Sequence, residues 1–538
     1  MNSLVIIGGV GILFCFGFFI YARYIEKILE IHPEEKTPAI TEYDGVDFIP
    51  AKNWLVLFGH HFSSIAGAAP IVGPIIAVSI WGWFPSLLWI VLGTIFIGGV
   101  HDFSSLMLSV KNKGNSIADI AKSVLSHRAK VVFSIFILLA LILVIAVFAY
   151  LCAKTFITDT RVIVPSLGLI PIAILVGFLL YKTKLNQIIS TIIGLVFLGI
   201  LLFTSNFLSV NLGWIKLEGW IIILLVYGFF ASCLPVNILL QPRDYLSAYL
   251  LFFGIVVGYL GLILLHPNIN LPPFLFSQQE FNPIWPMLFV TVACGAVSGF
   301  HSLIASGTTS KQLPNQKYAK RIGYGAMVFE GALAVLALLC VIGGLKNYST
   351  LKNIMEKAGP IGSFSKGFGN ITFLILGNFG SLIGVIILNA FILTTLDTAT
   401  RIARYIAEEL TGIKNRWLST LIVVIPAVYL AWGGRWRLIW PTFGASNQLV
   451  ATLALLIITS WLLSKNKPFL FAFLPGLFML FTTIFAFLIQ IIKYFRGKQF
   501  FLLFISSVLV VLSLYILLEV INVFIKKIKR KMTVTSNF

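Results

Sequence analysis

The chain has 538 residues, of which 59% are hydrophobic and only 11% are charged, and its mean hydropathy is +0.98. A soluble protein of this size carries about 25% charged residues, because its surface must face water. The formal net charge is +20, but the lysines and arginines fall mostly between apolar runs, which indicates membrane orientation rather than nucleic-acid binding. The composition excludes a soluble enzyme, a disordered chain and a secreted disulfide scaffold.

Apolar runs recur from end to end and predict an all-α, polytopic membrane protein with about fifteen transmembrane helices. The predicted spans are 4–24, 54–80, 86–108, 131–152, 163–181, 187–206, 217–236, 246–265, 287–308, 324–344, 371–396, 417–432, 440–463, 469–492 and 500–525.

The positions of lysine and arginine predict the orientation of these spans. With the N-terminus outside, 27 of the 39 basic residues lie on inner segments and 12 on outer segments. Inner segments normally carry the excess, so we expect the N-terminus outside and the basic tail, 526–538, in the cytoplasm. The chain has no GxxxxGK[ST] motif, so transport driven by ATP bound to this chain is not expected.

The second span is interrupted by glycine, proline and histidine between Gly59 and Pro74. A broken helix at membrane depth is tolerated only against protein or a water-filled cavity. We therefore favour a discontinuous helix lining a substrate or ion site, and the alternative is a kinked packing helix.

Four ionisable residues stand in the second and third spans, namely His60, His61, His101 and Asp102. They fit interior hydrogen bonding, a proton relay or a metal site such as zinc. Adjacent histidines point about 100° apart on a helix, so a shared metal would need a locally unwound backbone. Two further acidic residues lie at depth: Glu330 should face the interior, and Glu519, in the last span, is expected to be structural.

Pro235 is expected to break the seventh span, and Asn237 offers an amide beside the break. Arg243 and Asp244 follow and are expected at the membrane interface, as an ordinary surface pair or as a gate. Asp397 and Arg401, four residues apart in a later helix, would pair on one face, again as a surface pair or as a cytoplasmic gate.

The ninth span contains Gly295 and Gly299, a spacing that permits close helix approach. Hydroxyls then follow along one stripe beside His301. Such hydroxyls bond their own backbone, or they ligate Na⁺ or bind a carboxylate.

Seven stretches together resemble the carbon starvation protein A family, the peptide transporter carbon starvation group. They are FGHHFSSIAGAAPIVGPIIA (58–77), HDF (101–103), LPVNILLQPRDYLS (234–247), ACGAVSGFHSLIASGTTSKQL (293–313), IGYGAMVFE (322–330), TLDTATRIARY (395–405) and WPTFGASNQLVATLAL (440–455).

The resemblance implies a transporter of the bacterial or archaeal inner membrane, linked to uptake of peptides and of pyruvate in carbon limitation. The grouping of this family with the amino acid–polyamine–organocation superfamily implies two inverted repeats of five helices, with broken helices at the site. With this arrangement of repeats, we expect a transporter core at 54–405, made of repeats at about 54–206 and 217–405. An N-terminal part (1–53) would precede the core, and peripheral spans (406–525) and the basic tail would follow it.

Breaks at 59–74 and 233–237 would then be the paired interruptions that mark a transporter site. We expect the following residues to bind substrate: His61, Ser64, Gly67, Ala68, Asn237, Ser298, His301 and Ser302. We expect these to handle the coupling ion: His60, Asp102, Ser306, Thr308 and Thr309. The expected gate residues are Arg243, Asp244, Asp397 and Arg401.

The function expected from these features is secondary active import of pyruvate or short peptides, with H⁺ favoured over Na⁺ as the coupling ion. The alternative is an intramembrane metal-binding protein or metalloenzyme that uses His60, His61, His101 and Asp102. We expect no enzymatic activity, no further cofactor and no partner beyond the small-molecule substrate and membrane lipids, and the sequence leaves the oligomeric state open.

Overall fold

The structure is a computed structural model that describes residues 2–183, 185–205, 212, 214–276, 281–432 and 436–535. The side chains of 436–438, 523, 524 and 526–535 are outside the description, and so is most of the predicted basic tail. Within the described part the secondary structure is helical, with one isolated bridge between Asn2 and Asn268.

The α-helices differ widely in length, from single turns to more than thirty residues. They are α1 (Ser3–Phe16), α2 (Ala22–Leu29), α3 (Pro38–Thr41), α4 (Trp54–Ile65), α5 (Ala69–Trp81), α6 (Trp83–Gly93), α7 (Gly99–Lys111), α8 (Ile117–Val124), α9 (His127–Thr158), α10 (Ile163–Lys182), α11 (Gln187–Thr204), α12 (Leu217–Cys233), α13 (Leu240–Leu265), α14 (Phe289–Thr291), α15 (Gly299–Ile304), α16 (Ala319–Gly344), α17 (Tyr348–Lys357), α18 (Gly359–Ile371), α19 (Phe373–Leu376), α20 (Gly380–Thr411), α21 (Arg416–Ala431), α22 (Trp436–Ser464), α23 (Leu470–Arg496) and α24 (Phe500–Thr535).

Twelve helical segments of the described residues are long and apolar enough to cross a membrane. The two apolar helices α12 and α21 are shorter. The remaining predicted span, 287–308, is not one helix, because its polypeptide leaves the helical path between α14 and α15. The all-α, multi-span architecture is thus confirmed, and the ninth predicted span is a second broken helix.

The first break falls where the sequence predicted it, between α4 and α5. Asn53 caps the start of α4 by accepting the amide hydrogen of Val56, and the helix stops at Ile65. Pro70 stands in the first turn of α5, where a proline needs no backbone donor. The short segment 66–68 separates two half-helices of one span.

The second break, at 292–298, packs directly against the first. A β-carbon on Gly73 would lie 2.6 Å from the backbone oxygen of Thr291, and one on Gly295 would lie 3.4 Å from the α-carbon of Pro70. The approach at Gly73 leaves no room for a side chain, and at Gly295 a β-carbon would lie 2.8 Å from the β-carbon of Ala334 in α16. The two broken spans therefore cross antiparallel at membrane depth, with their breaks in contact.

The prediction that the partner break lies at 233–237 is wrong. Helix α12 ends at Cys233 and α13 begins at Leu240, so Pro235 and Asn237 lie in the connection between two helices. Pro235 suggests an interruption within a helix because the apolar run continues on both sides of it.

A π-helical turn, Ala305–Thr309, follows α15 without interruption. Such turns insert an extra residue into the helical path and are common at functional sites. Here the turn carries the polar residues Ser306, Thr308 and Thr309, all of them buried.

The connections gather on two opposite faces of the helix bundle. On the first face, Val236 donates its amide hydrogen to the carbonyl of Val46, and Ala51 donates to that of Gln312. On the second face, Ser3 donates to Pro267 and Asn270 donates to Ile342. This grouping matches the alternating order of the predicted spans.

The predicted division into domains stays a prediction, but one of its peripheral spans is deeply buried. In the 18-residue apolar stretch of the segment Ile439–Ser464, 94% of the residues are buried, against 28% in that of the segment Phe500–Asn522. Helix α22 contacts α9 and α15, so it supports the second break rather than lying at the edge.

Candidate functional site

An ion-pair network joins α13 to α20 in the interior, and we call it the Arg243 network: His60, Ser64, Tyr227, Arg243, Asp244 and Asp397. The guanidinium of Arg243 binds Asp397 with both terminal nitrogens, at 2.5 and 2.8 Å, and binds Asp244 at 2.9 Å. The Tyr227 hydroxyl accepts a hydrogen bond from Arg243 and donates one to Asp397 at 3.0 Å. The three charged side chains are fully buried.

The first broken span is part of the same network. Nδ1 of His60 lies 2.7 Å from Oδ2 of Asp244, and the Ser64 hydroxyl donates to the same oxygen at 3.3 Å. The Ser64 hydroxyl also lies 3.3 Å from that of Thr398. One ionic network thus holds α4, α13 and α20 together one turn before the first break.

Two predictions for these residues are wrong. Arg243 and Asp244 are not a surface pair, because both are buried under α4, α12 and α20. Asp397 does not pair with Arg401, because Arg243 takes its carboxylate. Sequence spacing indicated a pair along one helix, whereas packing places a better donor on another helix.

Arg401 lies at the first face and anchors the loop that precedes α4. It binds the carboxylate of Asp47 at 2.8 Å and donates to the carbonyls of Ala231 and Leu234. Arg404 and the Tyr405 hydroxyl bind the same carboxylate at 3.2 and 2.7 Å.

Burial opposes ionisation of Asp47, but the positive charges of Arg401, Arg404 and Lys311 outweigh it and hold the pKa of this carboxyl well below its usual range. We call Asp47, Arg401, Arg404 and Tyr405 the Asp47 latch. Asp47 was not predicted from the sequence, since a lone aspartate in a polar loop carries no signal.

A second cluster of buried ionisable groups, the Glu330 cluster, consists of His101, Asp102, His301 and Glu330. Nδ1 of His101 and Nδ1 of His301 lie 2.9 and 3.1 Å from the two oxygens of Asp102. Nε2 of His301 lies 3.1 Å from Oε2 of Glu330, within ion-pair distance. The alignment is too poor for a hydrogen bond, so both Glu330 oxygens lack a hydrogen-bond donor.

The neighbouring histidines of α4 face different surroundings. His60 belongs to the Arg243 network, and its Nε2 lies 3.3 Å from the hydroxyl of Thr308. Nδ1 of His61 lies 2.8 Å from the hydroxyl of Thr309, and its Nε2 has no hydrogen-bond partner. The π turn thus brings its two threonines to the two histidines, one each.

Two other predicted hydroxyls bond mainly to their own helix. Ser302 donates to the carbonyl of Gly299 at 2.8 Å, and Ser306 donates to that of Ser302 at 2.7 Å. Ser306 also accepts the amide hydrogen of Ile117 at 3.2 Å. This is the backbone-bonding alternative that the sequence left open.

Ser298 lies in the second break and bonds to Asn447 of α22, whose side-chain amide donates to it at 2.9 Å. Asn447 also accepts the amide hydrogen of Phe300 at 2.9 Å and so caps the start of α15. The sequence analysis quoted this asparagine within a family motif but gave it no role.

Gly67 and Ala68 form the first break itself. A β-carbon on Gly67 would lie 2.9 Å from the hydroxyl of Thr395 and 3.2 Å from the ring of Phe148. Thr395 and its neighbour Thr394 donate to the carbonyls of Ser64 and Ser63 at 3.2 and 2.9 Å. Asn237, by contrast, is half-buried at the first face and belongs to neither cluster.

The residues proposed to share a metal do not converge. His60 faces Asp244 and His61 faces Thr309, while His101 and Asp102 meet each other. Among the described residues, no group of three or more His, Cys, Asp or Glu side chains is arranged to hold a metal ion.

The residues of both breaks are buried. A cavity of about 10 Å³ adjoins Arg243, Ser247 and Ser166, and another of about 10 Å³ adjoins Asn447 and Phe300. Each has room for roughly one water molecule. A larger cavity of about 340 Å³ lies between α21 and the start of α24, lined by residues such as Tyr429 and Phe500, and none of its lining residues belongs to either cluster.

The sequence is similar to known transporters over most of its length. It is 31% identical to the peptide transporter CstA of Campylobacter jejuni, covering 90% of this chain and 80% of that one. It is 31% identical to the peptide transporter CstA of Bacillus subtilis, covering 85% of each. It is 29% identical to the pyruvate/proton symporter BtsT of Escherichia coli, covering 83% of this chain and 75% of that one.

Solved structures share the fold at low sequence identity. A variant of a manganese transporter from Eremococcus coleocola superposes with a TM-score of 0.55 at 12% identity, covering 89% of this chain and 99% of that one. The same transporter bound to an aromatic bis-isothiourea compound gives a TM-score of 0.54 at 13% identity, covering 91% and 99%.

The sequence profile described as carbon starvation protein CstA matches residues 2–353 and 342–486. Together with the relatives and the multi-span fold, this match shows that the chain is a membrane transporter and belongs to the carbon starvation protein CstA family.

Proposed function

We propose that this protein is a proton-coupled symporter that imports a small carboxylate-bearing solute, a short peptide or pyruvate, across the cytoplasmic membrane. Relatives named for peptides and for pyruvate with protons support this substrate class and ion. The single observation that carries the proposal is the Arg243 network, which places a histidine and two carboxylates around one guanidinium beside a broken helix.

The charge of the network explains why a proton would act as the coupling ion. Arg243 contributes one positive charge, and Asp244 and Asp397 contribute two negative charges. With neutral His60 the network therefore carries one net negative charge, which is costly in the interior. A proton on His60, whose ring nitrogen lies 2.7 Å from Asp244, makes the network neutral. Histidine is suited to this task because its pKa in water is near 6.5.

We place the substrate between the breaks at 66–68 and 292–298. The first turns of α5 and α15 begin there, and half-helix N-termini favour the carboxylate of an anionic substrate. The predicted residues that remain beside this position are His61, Ser64, Gly67, Ala68, Ser298, His301 and Ser302. Asn237 lies on the first face, away from this position.

The closed bundle needs a rearrangement to admit a solute larger than water. We propose that the Arg243–Asp397 and Arg243–Asp244 pairs act as an inner gate and that the Asp47 latch closes the first face. The excess of lysine and arginine on the segments of that face favours assigning it to the cytoplasm.

The test is uptake into liposomes that contain the pure protein. Labelled pyruvate and alanyl-alanine are compared under separate inward gradients of H⁺ and of Na⁺. We expect at least one of the two solutes to accumulate under the H⁺ gradient in the absence of Na⁺. Accumulation that depends on Na⁺ alone would refute proton coupling, and no accumulation of either solute would refute the substrate class.

The role of His60 is tested by the His60→Gln variant, which keeps a polar side chain but cannot carry the positive charge. We expect proton-driven accumulation to fall at least tenfold. The matched control is His32→Gln, because the His32 side chain is 44% exposed in a loop and, in the described part of the chain, pairs with Glu34. Equal accumulation by the His60 variant and this control would contradict the proposed proton site.

A further inference from the structure

We propose that the Glu330 cluster is a second proton-binding centre, separate from His60, so that each transport cycle carries two protons. The inference rests on the proposed function and extends it from the identity of the ion to the number of ions moved. It starts from the positions of His101, Asp102, His301 and Glu330 around the second break.

The cluster differs from the Arg243 network in having no permanent cation. Asp102 and Glu330 bring two negative charges, and both side chains are fully buried. In the described part of the chain, the ion-pair partners of these two carboxylates are histidines only. Since isolated buried charges are very costly, the cluster reaches neutrality only by holding protons.

The ion-pair distances indicate where protons belong. His301 has one ring nitrogen 3.1 Å from Asp102 and the other 3.1 Å from Glu330. A doubly protonated His301 would satisfy both contacts and would leave one net negative charge in the cluster. The proton that makes the cluster neutral, and the one we count as transported, has an acceptor in Glu330, because both of its oxygens lack a hydrogen-bond donor.

Among the described residues, the surroundings supply no further charged group that pairs with the cluster. Cys294 of the second break bonds to the side chain of Asn447 at 3.0 Å, and the Tyr259 hydroxyl of α13 donates to the carbonyl of Ala332. Helices α5 and α6 and the π turn Thr94–Gly98 contain no titratable side chains. Glu26 of α2 pairs with Lys320 at the start of α16. Two further titratable neighbours have partners of their own: His61 of α4 bonds to Thr309, and the Tyr324 hydroxyl of α16 donates to the carbonyl of Ile95.

The cluster spans elements that would move relative to one another. His301 lies on α15, one turn after the second break, whereas Asp102 lies on α7 and Glu330 on α16. Displacement of the α15 half-helix would remove His301 from both carboxylates at once. Glu330 would then remain without an ion-pair partner, and Asp102 would keep only His101, so proton occupancy and the position of this half-helix must depend on each other.

The experiment is a measurement of the proton-to-substrate ratio in Na⁺-free liposomes that contain the full-length protein. Labelled pyruvate, or alanyl-alanine if pyruvate is not taken up, is held at a fixed gradient while the proton gradient is varied. The condition at which net flux vanishes gives the number of protons per substrate. We expect two for the wild type and one for Glu330→Gln.

Glu519→Gln is the matched control, because Glu519 is also a carboxylate within an apolar helix and, among the residues whose side chains are described, bonds to Tyr515 of its own helix. We expect this variant to keep a ratio of two. A ratio of one in the wild type, or of two in Glu330→Gln, would overturn the second centre and leave the proposed function standing. The wild-type ratio decides the question even if the Glu330 variant does not fold. Absence of any proton-driven uptake in the wild type would instead refute both proposals.

Discussion

Removal of the Arg243 charge is the perturbation whose cost follows most directly from the structure. In Arg243→Gln, Asp244 and Asp397 lose a guanidinium that contacts them at 2.5–2.9 Å. Removing one partner of a buried ion pair costs about 3–5 kcal/mol, because the charge that remains is uncompensated. We expect this loss in the free energy of unfolding.

The companion variant Asp397→Asn should cost less, about 1–3 kcal/mol, because Arg243 keeps Asp244. In the double variant, position 397 carries a neutral asparagine, so loss of the guanidinium leaves no unpaired charge there. Asp244 keeps its contacts with His60 and Ser64. The double variant should therefore be more stable than the sum of the single effects predicts, by about 2–3 kcal/mol. This difference is near the upper end of the interaction energies found between residues of one network.

The assay is unfolding in detergent by titration with sodium dodecyl sulfate, followed by tryptophan fluorescence, for the wild type and all three variants. Arg161→Gln is the control, because Arg161 forms an exposed pair with Asp159, with 46% of the arginine side chain exposed. Such pairs contribute about 0–1 kcal/mol. Additive single effects, within about 0.5 kcal/mol, would refute the conclusion that these residues form one energetic unit.

Three further predictions concern the breaks and the latch. Asn447→Ala removes the cap of α15 and should cost about 1–2 kcal/mol of unfolding free energy, and a loss under 0.3 kcal/mol would contradict that role. Gly299→Ala places a β-carbon 2.2 Å from a backbone oxygen and should lower the thermal unfolding temperature. The control Gly8→Ala, with open space around it, should leave that temperature unchanged. Equal unfolding temperatures for the two variants would show that the breaks are loosely packed. Asp47→Asn should speed maleimide modification of buried Cys233 at least threefold in a background without the other cysteines. Because the pKa of Asp47 is held low, the stabilisation by its charge is lost only as pH falls through that lowered value, so the rate ratio of variant to wild type should stay constant from about pH 8 to about pH 5. A ratio that falls to one by about pH 5 would contradict the lowered pKa.

Much of the architecture follows from the sequence alone. The hydrophobic content and the spacing of the apolar runs predicted an all-α membrane protein, because a chain in lipid must satisfy its backbone hydrogen bonds within each span. The first break was predicted correctly, since glycines and Pro70 remove helix-forming ability locally. The family motifs predicted a transporter of the carbon starvation group, which the relatives confirm.

The partners of the buried charges were decided by tertiary structure. Spacing along one helix predicted Asp397 with Arg401, but the packed helices give Asp397 to Arg243 and give Arg401 to Asp47 of a distant loop. The second break was expected beside Pro235 and lies at 292–298, where glycines meet the first break. Periodicity reports which residues face inward along one helix, but which helix they then meet depends on packing across more than a hundred residues of chain. The sequence by itself therefore determined that buried carboxylates must be neutralised. Only the folded bundle decided that the Arg243 network has a guanidinium for this purpose, whereas the Glu330 cluster has protons alone.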